Sequence, residues 1–513
     1  MTRWRAIALC WLLLSLWSGG LYLRAALDPP PGRVFAGTFH WIDDFYNYAS
    51  FVQQAEDGAF LFRNKLLAPE DSRPELVNLE WWLVGRMSRL LGRRPFLAYR
   101  VFALLATLAL VAGVERWLRG AGVPGTHRAA ALALVLLGGG LGGLLFQWTE
   151  LPVQRCLDIS AGFFPFLEVL ASPHFVAGTA LLVWSLWAFS AVPGWRGALL
   201  GTALGTTLGL VRPYDLALLG AVRLLGIAAT EPPRRWFRVA APLAGLLPVL
   251  GYDLFVFFVH GQFSFFSRGG AFPPRGDFLP ALGPALALAL VSLRGRPPDD
   301  AARGARAHLW AWVVVTVATI AARPGAFSLQ LLVGAGVPLL VLGATALTRF
   351  APEVTALAAL ALSASAVVST RVVLTEDPAW FVPRERMAAG LALRELCGAG
   401  DVVLGPPDVG LYAIGLSRCH ALLAHRAAPG YAARLDEARR FYRPADPRER
   451  SAWLDRRGVT HLVLPGDAGP VPAAWLGPGT PFRRAALVGS GTATLAIYAR
   501  PRPPRAFGAN VQR

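Results

Sequence analysis

Two adjacent carboxylates, Asp43 and Asp44, are the residues of this 513-residue chain best suited to chemistry. They lie in the segment HWIDDFY (residues 40–46), shortly after the first long apolar segment. A carboxylate at a membrane surface can act as the general base that takes a proton from a hydroxyl group. The pair also opens an amphipathic pattern, in which an aspartate can simply cap the N-terminus of a helix. The two carboxylates alone leave both interpretations open.

The basic residues do not indicate nucleic-acid binding, although the formal net charge is +18. Nearly all of them are arginine, and Lys65 is the only lysine. They fall in short clusters between apolar segments, which is typical of membrane topology and not of a surface that follows a phosphate backbone. The sequence contains no Gly-Lys-Ser/Thr phosphate loop and no His-x-x-His or Cys-x-x-Cys pair.

The composition is that of a membrane protein. Hydrophobic residues make up 54% and charged residues 16% of the chain, whereas a soluble domain carries about 25% charge. A span needs roughly 20 apolar residues, and the sequence offers about eleven such segments. They are residues 6–23, 97–118, 129–148, 174–192, 197–211, 214–229, 239–259, 279–293, 308–322, 329–347 and 354–372.

The charges of the loops predict the orientation. Arg3 and Arg5 precede the first apolar segment, which indicates an uncleaved signal anchor with a cytoplasmic N-terminus. The loops that then face the cytoplasm all contain arginine, as the positive-inside rule requires. They are residues 119–128, 194–196, 231–238, 294–308 and 348–353. An odd number of spans exports the C-terminal end, so we predict a multi-pass protein of the bacterial inner membrane.

The first external loop, residues 24–96, is the longest between two predicted spans. Residues 44–60 and 76–91 each carry apolar side chains at three- and four-residue spacing, which predicts two amphipathic helices. We expect these helices to lie in the outer membrane interface. The alternative is a pair of ordinary surface helices packed on the bundle.

The composition becomes that of a soluble domain after residue 375. Helices are predicted at 387–397, 432–442 and 448–457, and strands at 401–404, 421–425, 461–465, 484–488 and 494–500. The predicted domains are therefore residues 1–375, a small α/β domain at 376–500 and a Pro- and Arg-rich tail at 501–513. Cys397 and Cys419 can form a disulfide if this domain is periplasmic. Two separate buried thiols are the default expectation.

This arrangement resembles the C-type glycosyltransferase superfamily (GT-C), and within it the family-39 bacterial enzymes similar to aminoarabinose and mannosyl transferases. The resemblance rests on the first span, the long first loop with HWIDDFY and its two amphipathic helices. It also rests on the segment SPHF (residues 172–175) at the start of the fourth span and on the exported α/β domain. It implies an α-helical polytopic membrane protein, GT-C-like, with about eleven transmembrane helices and a small C-terminal periplasmic α/β domain.

The resemblance also implies roles for acidic residues. Asp43 or Asp44 would be the catalytic base or the group that orients the acceptor. Members often carry a second acidic site in the second external loop, where Asp158 is the best match and Glu150 and Glu168 are competitors. Acidic groups can hold a divalent cation beside a phosphate. A divalent metal ion at Asp43 and Asp158 is therefore left open, although many enzymes of the superfamily manage without one.

Binding a polyprenyl phosphate requires a cation, for which the candidates are Lys65, Arg212, Arg268 and Arg323. We favour Arg212, because its turn between two spans also supplies Asp215. The alternative for each arginine is a side chain that snorkels to the lipid headgroups. His174, at the mouth of a span, and His425, after a strand of the terminal domain, are candidates for contacts with phosphate or sugar. An ordinary hydrogen-bonded interfacial histidine is the alternative for His174.

These residues predict a glycosyltransferase that moves a sugar, with inversion, from a polyprenyl-phosphate donor to a glycan, lipid or protein acceptor outside the cytoplasm. Its other partners are membrane lipids, and nucleic acid is not among them. A transporter or flippase of lipid-linked or anionic substrates is an alternative, but the sequence shows neither inverted repeats nor charges clustered at mid-membrane. A non-catalytic envelope assembly protein is a second alternative.

Overall fold

The computed structural model describes residues 3–264, 272–325, 327–375, 380–443, 446–465, 476, 480–489 and 494–501. The chain divides into two compact units. The helical unit comprises Met1–Pro29, Phe35–Trp41 and Leu76–Trp380, and the sheet unit comprises Pro30–Val34, Ile42–Glu75 and Phe381–Arg513. The first external loop of the sequence is therefore divided between the units. The predicted tail lies, apart from Pro501, outside the described residues.

The α-helices follow the predicted apolar and amphipathic segments closely. In chain order they are α1 (Arg3–Leu27), α2 (Ile42–Glu56), α3 (Leu79–Leu90), α4 (Pro95–Gly120), α5 (Arg128–Leu137), α6 (Gly142–Trp148), α7 (Leu157–Ser160), α8 (Pro165–Ala171), α9 (Pro173–Ala191), α10 (Gly194–Val211), α11 (Tyr214–Thr230), α12 (Trp236–Ala240), α13 (Leu247–Leu254), α14 (Phe278–Val291), α15 (Asp300–Ala322), α16 (Gly336–Leu347), α17 (Pro352–Leu362), α18 (Ala364–Val373), α19 (Arg384–Leu396), α20 (Pro407–Leu416), α21 (Tyr431–Phe441) and α22 (Pro447–Arg456).

The structure is that of a multi-pass membrane protein. Among the described residues, 8 helical segments are long and apolar enough to cross a membrane, or 9 if the bent pair α5 and α6 counts as one span. The two remaining predicted spans correspond to α10, which is rich in glycine, and to α11, which has 17 residues. Every predicted span thus coincides with a helical segment. The predicted number of spans is larger than 8 or 9 because it also counts α10 and α11, which are shorter or less apolar.

The predicted span at residues 129–148 is not one straight helix. Helices α5 and α6 meet at an angle of 56°, and the break falls on the glycine run at residues 138–140. The amide of Gly139 donates to the carbonyl of Leu362 at 2.8 Å. A Cβ atom at Gly140 would collide with the backbone of Pro280 and Ala281. These glycines therefore allow backbones to approach closely, as small residues do between membrane helices.

The sheet unit is built on a five-stranded mixed sheet in the order β4-β3-β5-β7-β6. Its strands are β3 (Val402–Leu404), β4 (His420–Ala421), β5 (Val459–Pro465), β6 (Arg483–Val488) and β7 (Leu495–Ala499). Strands β4, β3 and β5 are parallel, and β7 and β6 continue the sheet antiparallel. Two short strands, β1 (Arg33–Phe35) and β2 (Phe381–Pro383), pair separately. Strand β4 is shorter than the predicted strand at 421–425, and α20 was not predicted.

Cys397 and Cys419 form a disulfide, with their Cα atoms 5.6 Å apart. The default expectation of two separate buried thiols was therefore wrong. Cys397 follows α19 and Cys419 precedes β4, so the bond joins the helix layer of this unit to the edge of its sheet. A disulfide in a small domain restricts the unfolded chain and raises stability.

The two amphipathic helices of the first external loop are both present. Helix α2 packs on α20 within the sheet unit, and α3 packs on α4 within the helical unit. Their apolar residues, such as Phe51 in α2 and Val84 in α3, are fully buried in these packings. The apolar faces of both helices therefore pack on the protein, and the expectation that the helices lie in the outer membrane interface stays a prediction.

Candidate active site

Asp44 is held by a histidine that is distant in sequence. His425 contacts Asp44 with its Nε2 atom 3.0 Å from the carboxylate Oδ1. The amide of Ala427 donates to Nδ1 of the same ring at 3.1 Å. Because Nδ1 accepts this bond, Nε2 carries the proton and donates to Asp44. The His425 side chain is buried, whereas the Asp44 side chain is 40% exposed, so an acceptor hydroxyl can still approach the carboxylate.

Asp43 has a partner of a different kind. The guanidinium Nε of Arg426 lies 3.6 Å from Asp43 Oδ2, and 85% of the arginine side chain is exposed. Consecutive residues of one loop thus face consecutive residues at the start of α2. An exposed ion pair of this type contributes little to stability. The contact therefore leaves Asp43 less firmly oriented than Asp44.

Helix α2 is anchored by its first turn. Tyr46 is fully buried, and its ring packs edge-on against Tyr412 of α20 with centroids 4.8 Å apart. Its hydroxyl lies 3.6 Å from the Met387 sulfur. A Cβ atom at Gly415 would come within 2.7 Å of the Tyr46 ring, so this glycine permits the close approach of α20 to α2. These contacts fix the backbone that carries the two aspartates.

The loop that presents His425 is fixed by hydrogen bonds on both sides. His420 Nδ1 lies 2.8 Å from the carbonyl of Leu67, and the amide of Ala421 donates to the carbonyl of Lys65 at 3.0 Å. Arg434 of α21 donates to the carbonyls of Leu422 and Pro429 at 2.9 and 2.6 Å. Burial also lowers the pKa of His420 to about 4, so this ring stays neutral near pH 7.

The helical unit contains a buried guanidinium, that of Arg212, which is 0% exposed. Arg212 follows α10, and its Nε lies 3.1 Å from Oδ2 of Asp215 in the first turn of α11. Its Nη2 donates to the carbonyl of Gln330 at 3.1 Å. Within the described part of the chain, Nη1 has no hydrogen-bond partner. The interpretation of Arg212 as a snorkelling residue is therefore wrong, because the side chain points into the protein.

The residues around Arg212 leave space for its side chain and contact it. A Cβ atom at Gly178 of α9 would collide with the Arg212 side chain, so only glycine leaves room for the guanidinium there. The guanidinium carbon lies 5.1 Å from the centre of the Phe175 ring, a cation–π contact. The Trp41 ring also contacts Phe175, edge-on at 5.1 Å. Trp41 has a φ of 48°, a strained value for a residue other than glycine.

Two further buried acids lie near this guanidinium. Glu168 lies in α8 and is fully buried. Burial raises the pKa of Glu168 to about 8, although the positive charge of Arg212 opposes the shift. Below this pH the carboxyl is neutral and does not compete for the positive charge of Arg212. Glu168 was a competitor of Asp158 in the sequence analysis.

Glu80 was not identified from the sequence. Its Oε1 lies 2.6 Å from Nδ1 of His174, and both side chains are buried. Trp81 stacks on the His174 ring at 6.1 Å and on Tyr99 at 5.5 Å. Burial raises the pKa of Glu80 well above its usual range, and the charge of Arg212 opposes this shift. The available signal in the sequence was a glutamate next to two tryptophans at the start of the amphipathic helix α3.

The other predicted site residues have different surroundings. Oδ2 of Asp158 accepts from the Ser365 hydroxyl at 2.5 Å and from the Gly143 amide at 3.1 Å, which ties α7 to α6 and α18. Arg323 is exposed, in a left-handed conformation, with its guanidinium 4.9 Å from the Phe272 ring. Arg268 lies outside the described residues. The role of these three residues in substrate binding stays a prediction.

Lys65 is buried and not solvated. Its ammonium group donates to Gln53 Oε1 at 2.7 Å and to the carbonyls of Ile414 and Ser417 at 3.1 and 2.6 Å. These three bonds use all the donors of an ammonium group. Burial lowers the pKa of Lys65 to about 7. The contacts join the loop after α2 to the end of α20, which is a structural role within the sheet unit.

A divalent metal ion does not fit the two carboxylates offered for it. Asp158 already accepts two hydrogen bonds on one oxygen, and the Arg426 guanidinium stands beside Asp43. A second cation at Asp43 would be repelled by that guanidinium. Among the described residues, one group of three potential ligands was found, Cys397, Cys419 and His461, and its two cysteines are joined in the disulfide.

The chain is similar to several proteins of known structure. No protein-family model and no curated protein sequence matches the chain. The arabinofuranosyltransferase AftD from Mycobacteria superposes with a TM-score of 0.60 at 18% identity, over 98% of this chain and 40% of that one. ArnT from Cupriavidus metallidurans, bound to undecaprenyl phosphate, gives 0.56 at 13% identity, over 96% of this chain and 97% of that one. The oligosaccharyltransferase of Archaeoglobus fulgidus, in complex with Zn and sulfate, gives 0.51 at 13% identity, over 96% and 73%.

This chain has the GT-C fold. The resemblance predicted from the sequence is confirmed for the fold, as is the fold class of a polytopic helical protein with a small C-terminal sheet region. The chain corresponds to nearly the whole length of ArnT but to 40% of the length of the AftD structure. A shared GT-C fold at such low identity says nothing of the substrate.

Proposed function

We propose that this chain is a membrane glycosyltransferase that moves a sugar from a polyprenyl-phosphate donor to an acceptor hydroxyl outside the cytoplasm, with inversion at the anomeric carbon. The observation that carries the proposal is the carboxylate of Asp44, half-exposed and oriented by the buried His425. A general base must be held in place and yet be within reach of substrate, and Asp44 meets both conditions. The GT-C fold supports the reaction class.

In the proposed reaction Asp44 takes the proton of the acceptor hydroxyl. The acceptor oxygen attacks the anomeric carbon from the face opposite the phosphate, and the new C–O bond inverts this centre. The bond between the anomeric carbon and the phosphate oxygen breaks, and its electron pair leaves with the polyprenyl phosphate. The geometry parallels that of an inverting glycosidase, with an acceptor in place of water. The phosphate is a good leaving group, so no separate acid is needed.

Arg212 is the cation that we assign to the donor phosphate. The support is its unpartnered Nη1 within the described residues and the neutral state of Glu168 below about pH 8. In the low-dielectric interior of the helical unit, a guanidinium attracts a phosphate more strongly than it would in water. Asp215 and the ring of Phe175 hold this guanidinium in one orientation.

We assign the sheet unit to the extracytoplasmic side of a bacterial inner membrane. The Cys397–Cys419 disulfide supports this assignment, because disulfides form and persist in oxidising compartments. The arginines in every second loop, which the positive-inside rule places in the cytoplasm, support it independently. The acceptor would then be a glycan, lipid or protein of the cell envelope.

The test is transfer from synthetic polyprenyl-phosphate donors that carry a radiolabelled sugar, with the purified chain in proteoliposomes. We expect label to leave the donor and the double variant Arg212→Gln/Asp215→Asn to lose at least about 100-fold of the rate. The matched control is Arg303→Gln/Asp300→Asn, which removes an exposed i,i+3 pair and should retain activity. Label that crosses the bilayer on an uncleaved donor would instead indicate a transporter.

A further inference from the structure

Helices α21 and α22 of the sheet unit enclose a cleft that the proposed reaction does not use. Its volume is about 830 Å³, within the range of small-molecule binding sites. The floor is aromatic, because Phe441 and Trp453 stack with ring centroids 4.8 Å apart and planes 28° from parallel. The Phe441 ring is buried, and Trp453 lines the cleft.

The walls of this cleft are cationic. Four arginines line it, Arg440, Arg450, Arg456 and Arg457, against the two glutamates Glu437 and Glu449. Arg457 pairs with Glu437. Arg450 is buried and donates to the carbonyls of Phe441 and Arg443 at 3.2 and 2.7 Å, so it supports the cleft structurally.

Two of the arginines are available to a ligand. Arg440 and Arg456 are exposed, and in the described ranges neither side chain has an ion pair or a hydrogen bond. A guanidinium presents a planar pair of donors that matches a carboxylate or a phosphate. The cleft thus combines an aromatic floor with two unoccupied anion-binding groups at its rim.

We propose that this cleft binds an acidic glycan, in which a sugar ring stacks on the half-buried Trp453 ring and its carboxylate or phosphate pairs with Arg440 or Arg456. The negative face of an aromatic ring attracts the polarised C–H groups of a sugar ring, and the guanidinium groups select for charge. A lipid surface would favour protruding apolar side chains over a recessed floor. The binding is independent of the transfer reaction and is tested without it.

The experiment measures binding of the full-length chain in nanodiscs made of neutral lipid. The probes are oligogalacturonate, a carboxylated sugar chain, and neutral malto-oligosaccharide of the same length. The cleft variant is Arg440→Gln/Arg456→Gln, and the matched control is Arg439→Gln/Arg448→Gln, which removes two exposed arginines from the same helices but outside the cleft. Both variants change the net charge equally.

We expect oligogalacturonate to bind, malto-oligosaccharide to bind at least tenfold more weakly, and the cleft variant to lose about tenfold in affinity, as expected for a lost charge-assisted contact. The control variant should stay within about twofold. Equal loss in both variants would overturn the proposal, because it would indicate general charge attraction. Binding of anionic lipid vesicles, but not of oligogalacturonate, through Arg440 and Arg456 would overturn it in favour of a membrane surface.

Discussion

His425 donates a hydrogen bond to Asp44 at 3.0 Å across 381 residues of sequence. The bond joins the loop after β4 to the first turn of α2, and both elements belong to the sheet unit. The amide of Ala427 fixes which ring nitrogen carries the proton. In the proposed reaction His425 would therefore be a positioning residue, which acts on the substrate through Asp44.

We expect His425→Ala to lower kcat for sugar transfer by about 10- to 100-fold, since a misoriented base costs roughly this much. KM for the donor should stay nearly unchanged. His425→Gln, whose amide can still donate, should recover part of the loss. Steady-state kinetics of both variants check this expectation. A rise in donor KM without a change in kcat would instead place His425 in donor binding.

We expect Glu168 to make donor binding dependent on pH. Because burial raises its pKa to about 8, Glu168 is neutral at lower pH and becomes an anion as the pH rises through that value. The new charge then competes with the donor phosphate for Arg212. We expect donor KM to rise above about pH 8 in the wild type and to stay level in Glu168→Gln, which mimics the neutral carboxyl. A wild-type KM that stays constant up to pH 9 would contradict this role.

Lys65 should affect stability and not catalysis. Lys65→Met leaves three buried acceptors without their donor, and we expect unfolding to become easier by about 1–3 kcal/mol. Donor KM should not change. The folded pKa of Lys65 is lowered to about 7, whereas an unfolded lysine titrates near about 10.4. Between these values the unfolded chain binds more protons, so wild-type stability should rise with pH over this window. Thermal unfolding from pH 7 to 10 should show this rise in the wild type and not in Lys65→Met.

The Cys397–Cys419 disulfide should stabilise the sheet unit. The cysteines are separated by 22 residues, and removal of such a bond from a small domain costs about 2–5 kcal/mol. We expect Cys397→Ala/Cys419→Ala to lower the thermal unfolding temperature, and a reductant to produce the same shift in the wild type. Cys156→Ala, which removes a free buried thiol, is the control. Loss of stability in that control alone would contradict the assignment.

The membrane helices and most elements of the sheet unit could be predicted from the sequence. A long apolar segment in a membrane must satisfy its backbone hydrogen bonds internally, which favours a helix. Every predicted span accordingly coincides with a helical segment. Local patterns also predicted α19, α21 and α22 to within a few residues. The bend between α5 and α6 was not predicted. A glycine run permits close packing of backbones but does not indicate that the chain changes direction there.

The sequence predicted the residue types of the candidate site better than it predicted the contacts between those residues. Asp43 and Asp44 could be identified from the sequence, because they lie in the first external loop at the start of a predicted helix. The hydrogen bond from His425 could not, because it depends on a fold that brings distant segments together. Lys65 was a candidate cation for the donor phosphate, and no local pattern reveals the three acceptors that enclose it. Glu80 and Glu168 became visible as buried acids near Arg212 only in the folded chain.

Single-turnover transfer with saturating donor tests the assignment of Asp44 as the base. We expect Asp44→Asn to slow the chemical step by about 100- to 10,000-fold, with donor affinity preserved. Asp43→Asn, the matched neighbour whose partner is the exposed Arg426, should slow it by less than about tenfold. A wild-type rate in Asp44→Asn, with the protein folded and the donor bound, would contradict the assignment of Asp44 as the base.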